Sequence, residues 1–409
     1  MNTRTRVLIF TSLGHFTNDS TSMLFPVLIT YYVLLPNVSI LFLGSSAIIL
    51  NVISGLISTP IGSLADRTDH DALLIAAGIV ILGVSGFILA LPFRFESLTF
   101  PLTLAGAALL GLGQAFYHPL GASLLSYTYG KDAPPAMGIN GSMGSLGRAI
   151  TPAVLVFTME SLGKSFGVSI YAFYLVLAGI LIAVFLGRIR RTAVESGTNR
   201  VKMAEPSQQP AVNGASKYLG LVYLLTAAVF IRSLFLTGTS TFIPTLLKGV
   251  YHSETLMSLV VTIGLITPIF GQPLFGRMTS SRGGRYSIIF TFILSTVAFG
   301  AFLLFVSNLY LTIVTYALYA FAAYSGFPVF LGYVGQIVPK ELAGKSNGLV
   351  WGLGSTFGGA VGIAVITGLT LFISIPTAID LMFVFAVLSL VFLPLFPKRG
   401  QLSRRATAS

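Results

Sequence analysis

Residues 73–91 read LLIAAGIVILGVSGFILAL, with no charge, no proline and a single hydroxyl. A bilayer core is about 30 Å thick and is crossed by about 20 apolar residues in a helix. Inside lipid every backbone N–H and C=O has to be satisfied by the chain itself, which leaves helices or closed barrels. Barrel strands are about 10 residues long and alternate in polarity. The 73–91 run does neither, so it reads as a membrane-spanning helix. Working outward, comparable runs recur at 7–35, 40–65, 73–93, 100–127, 136–159, 169–187, 218–246, 256–278, 286–306, 309–337, 347–372 and 378–396. Twelve spans are expected. The first and seventh carry polar stretches within their apolar ground.

Composition points the same way: 54% of the residues are apolar and only 9% charged, against roughly 25% charged in a soluble domain. The formal net charge of +12 invites a nucleic-acid reading, and the placement of the charges removes it. With both termini on one side, the loops and ends facing that side carry 19 Lys and Arg, the opposite side carries Arg94, Lys164 and Lys248, and Arg148 and Arg232 fall inside spans. Positive charge collects on the cytoplasmic side of membrane proteins, so N-in, C-in topology in a cell membrane is expected and nucleic acid is not a partner. Cysteine is absent, which excludes disulfides and thiolate metal sites. No metal or other cofactor is expected. The first apolar run is long, has internal polar residues and shows no small-residue cleavage pattern; it is read as a retained span.

The long hydrophilic stretch RIRRTAVESGTNRVKMAEPSQQPAVNGAS mixes Pro, Gly, Gln, Ser and charge without apolar periodicity, as a flexible linker does. It divides the chain into a six-helix bundle over 1–190, a cytoplasmic linker over 191–217, a second six-helix bundle over 218–397 and a basic tail over 398–409. The halves repeat. SMLFPVLIT around Pro26 answers STFIPTLLK around Pro244, and HPLGASLLSYTYGKDAPPAMG answers FPVFLGYVGQIVPKELAGKSNG. These pair Pro119 with Pro328, Lys131 with Lys340 and Asp132 with Glu341, while Gly62 pairs with Gly276. Two repeated halves suit a transporter whose site lies at the midplane. The fold class expected is an all-α membrane protein of twelve helices in two pseudo-symmetric six-helix bundles.

The segment after span 2 runs Gly62-Ser-Leu64-Ala65-Asp66-Arg67-Thr-Asp-His-Asp. It resembles the hallmark loop of the major facilitator superfamily, G-x-L-A-D-R-x-G-R-R, in its first six positions. The later Gly position is Asp69, and the basic pair falls at His70 and Asp71. After span 8, Gly276-Arg-Met-Thr-Ser-Ser-Arg282-Gly283-Gly284-Arg285 keeps the basic part, with Ser280 where the acid would sit. The resemblance implies a cytoplasmic gating set of Gly62, Asp66, Arg67, Arg282 and Arg285. Two further segments, Gly14-His15-Phe-Thr-Asn18-Asp19 and Gly111-Leu-Gly113-Gln114-Ala-Phe116-Tyr117-His118-Pro119, are similar to the first and fourth spans of fosmidomycin-resistance-type efflux proteins. That likeness implies export of drugs or metabolites driven by proton entry. The Gly-rich spans 5 and 11 also resemble nitrate-type members, which bind anions between Arg residues placed in other spans.

Ionisable groups inside membrane spans are costly and mark function. His15, Asp19, His118, Arg148 and Arg232 all fall near mid-span, from spans 1, 4, 5 and 7, so a shared polar cavity is expected. Asp19 alone among the carboxylates lies in the middle of a span, and His15, one helical turn before it, shares its face. Asp19 with His15 and His118 is the candidate proton-coupling set; static neutralisation of an Arg by Asp19 is the competing reading, as is a packing role for His118. Two Arg against one Asp leave a guanidinium for an anion, carboxylate, phosphonate or phosphate, unless it is satisfied by helix carbonyls. Candidate substrate-binding residues are Arg148, Arg232, Asn18, Gln114, Tyr117, Tyr324 and Trp351. Gly138, Gly141, Gly144 and Gly147, with Gly348, Gly352, Gly354, Gly358 and Gly359 in the repeat, read first as close helix packing and second as sliding surfaces.

The expected function is a proton-coupled secondary transporter, exporting small anionic or amphipathic molecules as a monomer in the lipid bilayer. Import or exchange of anions through the same Arg pair is the alternative, since residues do not encode direction. An enzyme or receptor would need an apposed catalytic set or a sizeable soluble domain, and the loops outside 188–217 are short. An ATP-driven pump would need a G-x-x-x-x-G-K-[ST] loop, which the sequence lacks.

Overall fold

A computed structural model describes residues 2–130, 133–190, 215–338 and 346–397, with the side chains of Asp66, Pro134, Pro135, 215–217, Phe327 and Leu331 left aside. The expected linker up to 214, the tail, and the Lys131/Asp132 and Lys340/Glu341 pairs of the repeat lie outside the described residues, while 215–217, expected in the linker, are helical. Among those residues the chain is helical, with no strand. The first part holds α1 (Thr3–Ser20), α2 (Leu24–Tyr32), α3 (Ile40–Thr68), α4 (Asp71–Ala90), α5 (Thr99–Tyr129), α6 (Ala133–Leu162) and α7 (Lys164–Leu186). The second holds α8 (Ala215–Tyr251), α9 (Glu254–Arg282), α10 (Gly284–Phe305), α11 (Leu309–Ala323), α12 (Gly326–Ile337), a π-helical segment Leu349–Phe357, α13 (Gly358–Leu369) and α14 (Ile375–Leu390).

Ten helices among the described residues are long and apolar enough to cross a membrane. They cover every expected span except the first and fifth. The first is cut by a 3-10 turn at Thr21–Met23 that separates α1 from α2. The fifth, α6, is diluted by Asn140, Ser142, Ser145, Arg148 and its glycines. Both gaps arise where polar side chains gather. On α7, Tyr171, Leu175, Ala178 and Ile182 are buried, while Phe173, Leu177, Ile180 and Val184 are exposed. A helix apolar on both faces needs an apolar surround outside the protein as well as within it.

The chain forms two compact units, Met1–Met203 with Ile243–Thr262, and Ala204–Phe242 with Ile263–Ser409. In the first, α4 packs on α5 and α7, α3 on α5, and α1 on α6. The end of α8 and start of α9 join this unit through Lys248, whose Nζ donates to the Thr30 carbonyl at 3.0 Å and pairs with Glu254 at 2.8 Å. The ammonium also lies 5.0 Å from the Tyr31 ring centre, and the Tyr31 hydroxyl donates to Glu160 at 3.0 Å. In the second unit, Phe292, Val329, Phe330, Tyr333 and Val334 lie at the centre of the apolar core.

The repeat is structural as well as sequential. A methyl on Gly62 would stand 3.9 Å from the Pro119 side chain, and one on Gly276 3.8 Å from that of Pro328. Gly62 to Arg67, expected as a loop, instead form the last turns of α3, and Gly276 to Arg282 those of α9. The stops correspond in having positive φ: Asp69 (φ 53), in the left-handed conformation, ends α3, and Gly283 (φ 91) follows α9. Asp is among the few non-glycine residues that tolerate that region, which explains why the missing glycine at 69 leaves the turn intact. Pro119 and Pro328 differ in effect. α5 runs on through Pro119, whereas the tenth span breaks at Tyr324–Ser325, between α11 and α12. Pro328 has no N–H to offer the Tyr324 carbonyl four residues earlier.

Candidate functional site

α1, α5 and α6 of the first unit place four of the five mid-span ionisable groups together. α1 turns His15, Asn18 and Asp19 toward α5 and α6; α5 contributes Gln114, Tyr117 and His118; α6 contributes Arg148. The approach of α6 depends on glycine. A methyl at Gly144 would land on the His15 imidazole, and one at Gly147 would come within 2.9 Å of the Phe16 carbonyl carbon. The close-packing reading of the span 5 glycines therefore holds at 144 and 147, while Gly138 has no described atom within 4 Å of a methyl placed there. The second unit repeats the device, with Gly354, Gly358 and Gly362 against the backbone of Thr226, Phe230 and Leu234 on α8.

Asp19 is 5% exposed and uses its two oxygens differently. Oδ2 accepts from Arg148 Nη2 at 2.6 Å. Oδ1 accepts from the Asn18 amide at 3.2 Å and faces His118 Nε2 at 3.4 Å and His15 Nε2 at 3.6 Å. Side-chain exposure rises from 6% at Asp19 through 15% at His15 and 25% at Arg148 to 58% at His118. The carboxylate is thus the floor of the cluster and His118 its open edge. His15 lies over Tyr117 with ring centres 4.8 Å apart and meets His118 edge-on at 5.4 Å.

The ligand atoms of His15, Asp19 and His118 lie within 4.8 Å of one another, compact enough to hold a metal ion. The guanidinium already on Asp19 argues for a lighter occupant. A dication there would sit beside a like charge in a low-dielectric surround, whereas a proton between nitrogen and oxygen adds a single charge.

The remaining candidates divide. Gln114 donates to Thr21 Oγ1 at 3.1 Å, tying α5 to the turn that ends α1. Tyr117, expected to line a substrate pocket, is 2% exposed and anchors the helices, donating to the Thr11 carbonyl at 2.7 Å. Sequence reasoning did not single out Asn140. Its amide bonds both Tyr117 and His15, and the signal available was an uncharged amide in the middle of a glycine-rich span.

Arg232 belongs to the second unit and is 3% exposed. Its Nη2 donates to the carbonyls of Ala322 and Ala323 at 3.3 and 2.9 Å, capping the end of α11 at the helix break. Its guanidinium lies 5.3 Å and 5.6 Å from the ring centres of Phe292 and Phe330. No described carboxylate reaches it, and its Nε has no partner among the described residues. Tyr324 stands at the same break. Trp351, 40% exposed, sits in the π-helical segment, a geometry that recurs at functional sites. Of the gating set, Arg67 is exposed, Arg282 donates to the Tyr286 hydroxyl at 3.1 Å, and Arg285 Nε donates to the Phe396 carbonyl at 2.7 Å. The Asp66 side chain lies outside the described residues.

Comparison with known proteins fits this architecture. The model of the Major Facilitator Superfamily matches residues 10–252 and 225–408. The chain is also 24% identical over 391 residues to an uncharacterized MFS-type transporter, YfnC, of Bacillus subtilis (strain 168), covering 92% of this chain and 90% of that one. Helices that could cross a membrane, a repeated half and a match along nearly all of its length agree: the chain is a multi-pass membrane protein and belongs to the major facilitator superfamily of transporters.

Proposed function

We propose that this transporter is coupled to protons at Asp19 and exports small anionic or amphipathic organic molecules by alternating access. The observation that carries the proposal is the split carboxylate, with Arg148 on Oδ2 and two imidazole nitrogens opposite Oδ1. Without a proton in the cluster, Asp19 balances Arg148 and ties α1 to α6. A proton added among Asp19, His15 and His118 changes the charge that Arg148 sees and loosens that tie. Breaking one side of a buried pair costs about 3–5 kcal/mol, ample to bias a conformational equilibrium. His118, the most open member, is the entry point.

An anionic substrate is supported by Arg232, a buried guanidinium with a free Nε–H and no described acid beside it. A cell inner membrane with cytoplasmic termini is supported by the distribution of Lys and Arg along the sequence. The same Arg232 would serve anion import, which is the second reading. The test is uptake into proteoliposomes under an imposed pH gradient, with a panel of phosphonates, carboxylates and cationic drugs. Transport of anions that follows the gradient and reverses with it is expected. Transport of any member at a rate independent of the gradient would remove proton coupling.

A further inference from the structure

The hydrogen-bond chain behind His15 fixes where its protons can be. Tyr117 has one hydroxyl hydrogen and two possible acceptors, the Thr11 carbonyl at 2.7 Å and Asn140 Oδ1 at 3.0 Å. The Thr11 carbonyl can only accept, and it is nearer, so it takes the hydrogen. The Tyr117 oxygen is then free to accept from the Asn140 amide nitrogen, 2.9 Å away. In the structure the amide presents Oδ1 to His15 Nδ1 at 2.7 Å, while Nδ2 donates to Tyr117. A carbonyl oxygen has no proton to give, so His15 Nδ1 carries one. In the neutral ring the other nitrogen, Nε2, is bare.

That bare nitrogen faces Asp19 Oδ1 at 3.6 Å, lone pair toward lone pair. His118 Nε2 faces the same oxygen at 3.4 Å, and Asn18 Nδ2 gives it its hydrogen bond. Arg148 holds the other oxygen. The charged and titratable groups around His15 are thus Asp19 on its own helix, Tyr117 and His118 on α5, and Arg148 on α6. A single added proton at Nε2 converts the facing lone pairs into a charge-assisted hydrogen bond between imidazolium and carboxylate.

We infer that Asn140, oriented by Tyr117, is a positioning residue that fixes His15 in the Nδ1–H form and so makes His15 Nε2 the atom that takes up the coupling proton beside an ionised Asp19. This rests on the coupling reading proposed above and sharpens it. Asp19 stays ionised, and when His15 takes the proton the carboxylate shares its charge between the imidazolium on Oδ1 and Arg148 on Oδ2, which weakens its hold on Arg148. The design matches the way a second partner sets the tautomer of functional histidines elsewhere. No other described residue hydrogen-bonds His15 Nδ1.

The test uses full-length protein labelled with ¹⁵N-histidine in lipid. The chain has 4 His, and His15 is assigned by loss of its signals in His15→Gln. In the unsubstituted protein His15 is expected to show a protonated Nδ1 and a bare Nε2 at high pH, and both nitrogens protonated at low pH. Asn140→Leu should lose the Nδ1–H preference. Tyr117→Phe, a milder change, should give a mixture, and Asn140→Asp, which still accepts from Nδ1, should restore the Nδ1–H form. An Nε2–H tautomer in the unsubstituted protein, or an Nδ1–H tautomer unmoved by Asn140→Leu, would overturn the inference. Gradient-driven transport measured on the same preparations separates the two claims. Gradient-independent transport with the Nδ1–H tautomer present removes proton coupling and leaves the positioning by Asn140 intact.

Discussion

Replacing Gly147 by Ala adds one methyl at the contact on which the Asp19 cluster depends. That methyl would lie 2.9 Å from the Phe16 carbonyl carbon, and the obstacle is backbone, which no rotamer change removes. Non-bonded carbons settle at about 3.5–4.0 Å, so α1 and α6 would have to separate by about 1 Å. Such a shift would stretch the Arg148–Asp19 contact from 2.6 Å to about 3.6 Å, beyond hydrogen-bond reach. Overpacking of this kind costs about 1–3 kcal/mol in stability. Gly138→Ala is the matched control, because no described atom lies within 4 Å of a methyl there and alanine gains about 1 kcal/mol of helix propensity over glycine. The assay pairs thermal unfolding in detergent with transport in proteoliposomes. Gly147→Ala is expected to unfold several degrees lower and to transport poorly, while Gly138→Ala is unchanged or slightly more stable. If Gly147→Ala matched the parent in both, the α1–α6 contact would not be holding the cluster.

Three further outcomes follow from single contacts. Arg232→Lys keeps the charge but loses the planar fork, so affinity for an anionic substrate, measured by binding to the purified protein, should fall by about tenfold, the worth of one charge-assisted hydrogen bond; unchanged affinity would remove Arg232 from the site. Lys248→Met removes the hydrogen bond to Thr30 and the pair with Glu254. In this cysteine-free chain, a Thr30→Cys probe should then react faster with a water-soluble maleimide than it does with Lys248 present. Gln114→Leu frees Thr21 Oγ1 at the turn between α1 and α2; loss of that neutral hydrogen bond should lower stability by about 1 kcal/mol, read as a small drop in melting temperature.

Much of the fold was legible because lipid imposes a simple rule on length and polarity, and ten of the expected spans follow it. The two that do not, the first span and α6, are the ones that carry Asp19 and Arg148, where function displaces apolar residues. Breaks were less legible. Pro119 and Pro328 occupy matching places in the repeat, yet only the second coincides with a broken helix; a proline in the sequence marks a missing donor and not whether the helix breaks there. At that break Arg232 donates to the neighbouring carbonyls of Ala322 and Ala323. Within the site, charge made His15, Asp19, His118 and Arg148 visible in the sequence. Asn140 was hidden because an uncharged amide gives no electrostatic warning, and the burial of Tyr117 was hidden because composition does not reveal which way a ring faces. The Gly144 and Gly147 contacts were legible as a type and not as an address: spacing showed a packing face, and only the structure shows that Phe16 and His15 lie on it.

The central claim is that the buried carboxylate at position 19 couples substrate movement to proton movement. It is tested most directly by trapping a pH-sensitive dye inside proteoliposomes and following the lumenal pH after substrate is added, for the parent and for Asp19→Asn. The account predicts a substrate-triggered pH change in the parent and none in Asp19→Asn, with substrate exchange between equal pools retained. A pH change of equal size in Asp19→Asn would contradict it.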